Sequence, residues 1–114
     1  MAAAGNNSLN IETLKPDDIT LIVKITGPVI DNNVKALQKK LERIYKKNVP
    51  KIILDVSGIS FLNSMGLGAI VYLHTLMEKS GRKLLILNSG KNPSKFLNDL
   101  FEMTNLNKVL NIIR

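Results

Sequence analysis

One stretch of the sequence decides the fold: ILDVSGISFLNSMGLG, residues 53–68. Its first residues end an apolar run, Lys51 to Val56, which is typical of a short strand buried on both faces. Ser57 to Asn63 is predicted to be a loop, and a helix is predicted to begin near Ser64. Sites on sheets with parallel strands lie at the carboxyl ends of strands and the amino ends of the helices that follow. The sequence therefore predicts a functional site at Ser64.

Two strands are predicted before this stretch. Ile19 to Thr26 is β-branched and apolar, and Gly27-Pro28 is expected to end it. A weaker strand is expected over Leu9 to Leu14. The turn residues of the segment KPDD, 15–18, lie between the two runs, so the chain is predicted to open with a β-hairpin.

Helical periodicity appears on both sides of the buried strand. The first amphipathic helix follows Asp31 or Asn32, either of which can cap it, and Asn48-Val49-Pro50 is expected to end it. Its apolar positions are Val34, Leu37, Leu41 and Ile44. The second helix is predicted to stop at Ser80-Gly81. Its expected buried stripe is Leu67, Ile70, Val71, His74 and Met77.

The rest of the chain repeats the alternation. Lys83 to Leu87 is an apolar strand, and Asn92-Pro93 is expected to open a third helix that runs to about Met103. An apolar element over 106–113 has no assigned type. The order β-β-α-β-α-β-α predicts an α/β fold, with a small mixed β-sheet, an antiparallel opening hairpin, parallel strands and helices packed on the sheet.

Composition limits the chemistry that the chain can perform. Its 114 residues fit one domain, expected over 9–114 after a flexible tail at 1–8. The absence of cysteine excludes a disulfide framework, a thiolate metal site and a cysteine nucleophile, and a single histidine leaves no imidazole cluster. We expect neither a metal nor a cofactor. No export signal or apolar span is visible, so we expect a cytoplasmic protein.

The formal net charge of +7 raises the alternative of a basic module that binds nucleic acid or a nucleotide. The densest basic stretch follows the spacing of the first helix, which favours a solvated helix face. It consists of Lys39, Lys40, Arg43, Lys46 and Lys47. The chain has only three Phe and two Tyr, too few for a visible base-stacking platform.

The sequence gives little support to an enzyme. Ser64 does not lie in a G-x-S-x-G motif, because Leu62 stands where that motif has glycine. No phosphate-loop lysine follows the glycines. We expect His74 in the core, since no acid stands at a motif spacing that would orient it as a base.

The quoted stretch resembles the STAS domain family, specifically the anti-sigma factor antagonists. The family's usual core reads Asp-Ser-Ser-Gly or Asp-Ser-Thr-Gly, which places its phosphorylated serine at Ser64 and its glycine at Gly66. The closing segment, FEMTNLNKVL at 101–110, resembles the family's ending, where glycine usually stands at Asn105. Asparagine tolerates a left-handed backbone better than most residues, which fits that exchange.

The resemblance implies a partner switch. Unphosphorylated protein would bind an anti-sigma factor that is also a serine kinase, phosphorylation of Ser64 would release it, and a serine phosphatase would reset it. The surface implied for the partner spans the 57–65 loop and the outer side of the second helix. Its residues are Ser57, Ile59, Phe61, Asn63, Met65, Gly66, Ala69, Tyr72 and Leu76.

Two departures keep alternatives open. Asn63 replaces the family's acid and Met65 replaces its small hydroxyl residue, so a constitutive subunit of a larger signalling or lipid-transport assembly, without a switch, is the second hypothesis. Ser64 could also serve only as an N-cap. Gly66 and Gly68 could serve close helix–sheet packing instead of partner approach.

Overall fold

The computed structural model describes residues 8–88 and 94–113. Within them the predicted order of elements is confirmed, with three helices packed on one mixed sheet. The elements are β1 (Asn10–Leu14), β2 (Thr20–Val29), α1 (Asn32–Lys46), β3 (Lys51–Leu62), α2 (Ser64–Lys79), β4 (Lys83–Leu87), α3 (Lys95–Met103), a 3₁₀ turn (Leu106–Lys108) and β5 (Ile112–Ile113).

The strands lie in the sheet in chain order, β1-β2-β3-β4-β5. β1 and β2 form the predicted antiparallel hairpin, and every later pair is parallel. In the hairpin turn the Ile19 N–H donates to Asp17 Oδ1 at 2.9 Å, and this hydrogen bond lowers the pKa of that exposed carboxyl. Parallel neighbours need crossovers, which α1, α2 and α3 supply. Because such crossovers are right-handed, all three helices lie on one face of the sheet.

The two faces of the sheet differ in burial. On the helix-covered face, Leu21, Ile52 and Leu84 are adjacent in register, and all three are buried. On the other face, the next row of the register is only half-buried. The core therefore lies between the sheet and the helices. Through it, the carboxyl ends of the parallel strands are packed close to the starts of the helices that follow them.

Two strands extend beyond the predicted bounds. β2 continues through Gly27-Pro28 to Val29, and β3 continues to Leu62, so the predicted loop at Ser57 to Asn63 is wrong. Register shifts between the two strands lie between Lys24 and Thr26 and between Gly27 and Pro28. Bulges of this kind accommodate residues that would otherwise end a strand, and they re-aim side chains near sites.

The helix boundaries follow local backbone chemistry. Asp31 occupies the N-cap position of α1 at φ 50°, but its side chain makes no capping hydrogen bond. α3 begins at Lys95, where the Ser94 hydroxyl accepts from the Leu97 N–H at 3.1 Å. The predicted start of this helix, Asn92-Pro93, lies outside the described part of the chain. Asn105 adopts the left-handed conformation that its substitution for glycine predicted, at φ 59°.

Candidate functional site

Ser64 is the first residue of α2 and its side chain is exposed. The preceding residue, Asn63, is the N-cap, and its Oδ1 accepts from the Gly66 N–H at 2.8 Å. The Asn63 N–H donates to the Val29 carbonyl at 3.1 Å, which fixes the start of α2 against the end of β2. The hypothesis that Ser64 is the cap is therefore wrong.

The first turn of α2 suits an anion on Ser64. The N–H groups of Ser64 and Met65 belong to the turn in which a helix offers no carbonyl partner. The helix dipole adds about half a positive charge at this end. Consistent with this, a phosphate bonded to the Ser64 hydroxyl would lie where a helix accepts negative charge.

Gly66 lies on the inner side of the same turn and is buried. A Cβ added there would lie 2.5 Å from Val29 Cγ1 and 2.8 Å from Leu62 Cδ1. The residue therefore allows α2 to pack closely on the ends of β2 and β3. We correct its assignment as a partner contact, because it presents no surface to a partner.

The predicted residues of the 57–61 segment divide among different surroundings. Ile59 is only 2% exposed, so it is a core residue and its assignment as a partner contact is also corrected. Ser57 is half-buried, and both its N–H and its hydroxyl donate to Asp55 Oδ1, at 3.0 and 2.7 Å. Phe61 is exposed and its ring stacks on Phe96 of α3, with the centroids 5.4 Å apart.

Phe96 was not among the predicted site residues. Sequence position gives no hint of it, because it lies in α3, 35 residues after Phe61 of β3 (96 against 61). An exposed aromatic at the start of a helix that follows a parallel strand is the signal that could have found it.

The remaining four predicted contacts lie together. Met65, Ala69, Tyr72 and Leu76 follow one side of α2 and form one wall of an open groove of about 640 Å³ between α1 and α2. Met65 and Tyr72 are 64% and 63% exposed. The groove is completed by Gly68 and Leu73 of α2 and by Gln38, Leu41, Glu42, Tyr45 and Lys46 of α1.

The α2 wall of this groove carries no ionised side chain. No Asp, Glu, Lys or Arg occurs between Asp55 and Glu78. This uncharged wall is a candidate surface for contact with a partner. A charge added at Ser64, immediately before Met65, would therefore be placed at the end of an uncharged surface.

The stripe predicted to be buried on α2 is only partly correct. Ile70, His74 and Met77 are buried, whereas Leu67 and Val71 are half-buried, and the buried Leu73 was missed.

His74 has an acidic neighbour that sequence reasoning missed. Its Nε2 lies 3.3 Å from Glu78 Oε1, one turn later on α2. The i, i+4 spacing was visible in the sequence. His74 lies ten residues after Ser64, a rise of about 15 Å along the helix, so the two side chains do not form a nucleophile–base pair.

Within residues 8–88 and 94–113, no group of three His, Cys, Asp or Glu side chains could hold a metal ion. In the same part of the chain, no helix is long and apolar enough to cross a membrane.

Comparisons with known proteins agree with this architecture. The family model described as "STAS domain" matches residues 10–114. The Bacillus cell fate determinant SpoIIAA in its phosphorylated form is similar over 92% of each chain, with 19% identity and a TM-score of 0.68. An anti-sigma factor antagonist from Mycobacterium paratuberculosis is 20% identical over 92% of this chain and 85% of its own, with a TM-score of 0.73.

A membrane protein is also similar. The murine anion transporter Slc26a9 matches over 97% of this chain at 21% identity and a TM-score of 0.68. The match covers 21% of the transporter. At these identities the structural likenesses show a shared fold.

Proposed function

The chain belongs to the STAS domain family, and from that premise we propose that it is an anti-sigma factor antagonist controlled by phosphorylation of Ser64. In its unphosphorylated form it binds an anti-sigma factor of the serine-kinase type, which frees that factor's client. The kinase then phosphorylates Ser64 and releases it. The protein is the substrate in this cycle, acts in the cytoplasm and has no catalytic residue of its own.

One observation carries the proposal. Ser64 is exposed on the first turn of α2, directly before Met65 at the end of the α1–α2 groove. In the proposed complex, a partner that covers Met65 and Tyr72 extends over the adjacent Ser64, which does not itself line the groove. In this proposal the modified residue directly adjoins the docking surface.

Phosphorylation would act on binding more than on folding. The phosphate adds about −1.5 to −2 charges at neutral pH, and the first turn of α2 stabilises it locally. A partner seated on the groove would have to desolvate that charge against an apolar wall, which is strongly unfavourable without a cationic counterpart. The modified protein stays folded and loses its partner.

The phosphoryl transfer is chemically simple. The Ser64 oxygen attacks the γ-phosphorus of ATP held by the kinase, ADP leaves, and the hydroxyl proton passes to a base of the kinase. A phosphatase returns the serine by hydrolysis. SpoIIAA, with the same fold, has been observed in a phosphorylated form, which supports a modification of this kind.

The test uses four forms of the full chain as bait in lysate of the source organism. We expect wild type and Ser64→Ala to capture the same kinase-type protein, and Ser64→Asp to lose it. Asn107→Asp is the matched control, since it adds one negative charge at an exposed position of the 3₁₀ turn. It should bind as wild type does.

A second measurement separates modification from binding. Incubation of the captured partner with ATP and purified wild type should add one phosphoryl group, located at Ser64 by peptide mass spectrometry, and Ser64→Ala should gain none. Equal capture of the partner by Ser64→Asp and by wild type would contradict the proposed control by phosphorylation.

A constitutive subunit is the second candidate function. Asn63 favours it, because the structure uses this side chain as a neutral N-cap where the family has an acid. The groove would then hold its partner permanently, as a domain of a larger assembly. Identical partners for Ser64→Asp and wild type, with no phosphoserine in protein isolated from the source, would support it.

A further inference from the structure

A second groove runs along the opposite side of α1, between that helix and β1. It encloses about 490 Å³. Its walls are Leu9 and Ile11 on the β1 side and Lys35, Ala36, Lys39, Lys40 and Arg43 on α1. We call it the basic groove. It shares no lining residue with the groove next to Ser64.

The basic groove lies beside an edge strand. β1 pairs with β2 on one side, and within the described residues no strand pairs with its other side. The outward N–H and C=O groups of such a strand can accept a further strand. β1 contains no proline, so its backbone is open to pairing along its length.

The charge of the basic groove is one-sided. Four cationic side chains line it without any acidic one. Lys35, Lys39 and Arg43 are spaced one helical turn apart, an arrangement in which like charges repel. The acidic residue of α1, Glu42, lines the other groove. An acidic ligand would therefore relieve repulsion as well as form new ion pairs.

We propose that the basic groove binds an extended acidic segment of another protein, which adds to the sheet as a strand beside β1. Its backbone pairs with the free edge of β1, and its acidic side chains on the helix side of the sheet meet Lys35, Lys39 and Arg43. Strand addition gives affinity through the backbone, and alternate side chains give specificity.

The occupant is neither a second copy nor the chain's own first residues. A second copy pairing through β1 would bring Glu12 alone as an acid of that strand and would set two basic helices near one another. The first seven residues, MAAAGNN, carry no charged side chain. Charge complementarity therefore points to a separate acidic partner.

Fluorescence anisotropy tests the proposal with a dye-labelled peptide of alternating Glu and Val. We expect binding to the full chain at low salt that weakens as salt rises. Lys39→Glu/Arg43→Glu should weaken it at least about tenfold, because attractive pairs become repulsive. Lys83→Glu/Lys108→Glu changes the net charge equally at exposed positions on other elements and should stay within about twofold of wild type.

Backbone pairing is tested separately. A peptide of the same charge with a central proline should bind at least about tenfold more weakly, since proline removes a ladder donor. Bound peptide should also slow amide hydrogen exchange over Asn10–Leu14. Three results would overturn the assignment to a strand. One is equal binding of the proline peptide, and another is an equal loss of affinity in both double variants. The third is displacement of the peptide by an oligonucleotide at equal charge concentration. Absence of peptide binding at low salt would overturn it as well.

Discussion

The two long sides of α2 carry residues of similar hydrophobicity but have opposite surroundings. The inner side, with Gly66, Ile70 and Met77, is buried against the sheet. The groove side, with Met65, Ala69, Tyr72 and Leu76, lines open space facing α1. On the groove side, Ala69 and Leu76 are half-buried, whereas Met65 and Tyr72 are exposed. In the proposed function the groove side binds a partner, whereas the inner side stabilises the fold.

The two sides of α2 are expected to respond differently to substitution. Changes on the inner side should lower the free energy of unfolding, whereas changes on the groove side should alter binding and leave that free energy nearly unchanged. Similar effects of substitutions on the two sides would contradict this division.

Ile70→Ala should produce the largest loss. Ile70 is fully buried at the centre of the inner side, and truncation removes apolar contacts and leaves a cavity. We expect the free energy of unfolding to fall by about 2–5 kcal/mol, measured by urea denaturation. Thr75→Ala, at an exposed position of the same helix, should change it by less than about 0.5 kcal/mol. Equal effects of the two substitutions on the free energy of unfolding would contradict the difference between the two sides of α2.

Gly66→Ala should be the next largest. The added methyl group would lie 2.5 Å from Val29 Cγ1 and 2.8 Å from Leu62 Cδ1, so these two buried side chains have to shift. Overpacking of this kind costs about 1–3 kcal/mol, which exceeds the gain of about 1 kcal/mol from replacing glycine in a helix. Urea denaturation should show a net loss. A stabilised variant would mean that the first turn of α2 is looser than the structure shows.

The fold was largely readable from the sequence. The apolar runs at Ile19 to Thr26 and Lys83 to Leu87 have the composition of strands, and the period of α1 places Leu37 and Ile44 in the core. Their order alone fixed the mixed sheet, because parallel neighbours require helical crossovers. The extensions of β2 and β3 could not be read, since glycine and proline usually end a strand and only the bulged register accommodates them here.

The candidate site was readable in part. The spacing of Met65, Ala69, Tyr72 and Leu76 correctly placed them on one side of α2. Which neighbour faces them depends on tertiary packing, so the groove with α1 could not be foreseen. Burial of Ile59 and the stacking of Phe61 on Phe96 depend on contacts between distant segments for the same reason.

Tyr72→Ala tests the groove side. Tyr72 is 63% exposed, so its truncation should leave the free energy of unfolding within about 0.5 kcal/mol of wild type. An exposed aromatic at the centre of a docking surface contributes strongly to binding, and we expect affinity for the captured partner to fall at least about tenfold. Titration calorimetry measures the loss, with Thr75→Ala as the control. Unchanged affinity would exclude the groove as the docking surface.

Gly68→Ala gives the smallest effect and the sharpest contrast with Gly66→Ala. The two glycines lie two residues apart in α2, yet a Cβ at Gly68 would meet nothing within 4 Å. Since alanine favours a helix over glycine, we expect the free energy of unfolding to rise by about 0.5–1 kcal/mol. Gly68 also lines the groove, so the same methyl group should weaken binding of a partner that packs against α2. Higher stability together with lower affinity in this one variant would show that this side of the helix serves binding. If the side were purely structural, the variant would gain stability without losing affinity for the partner.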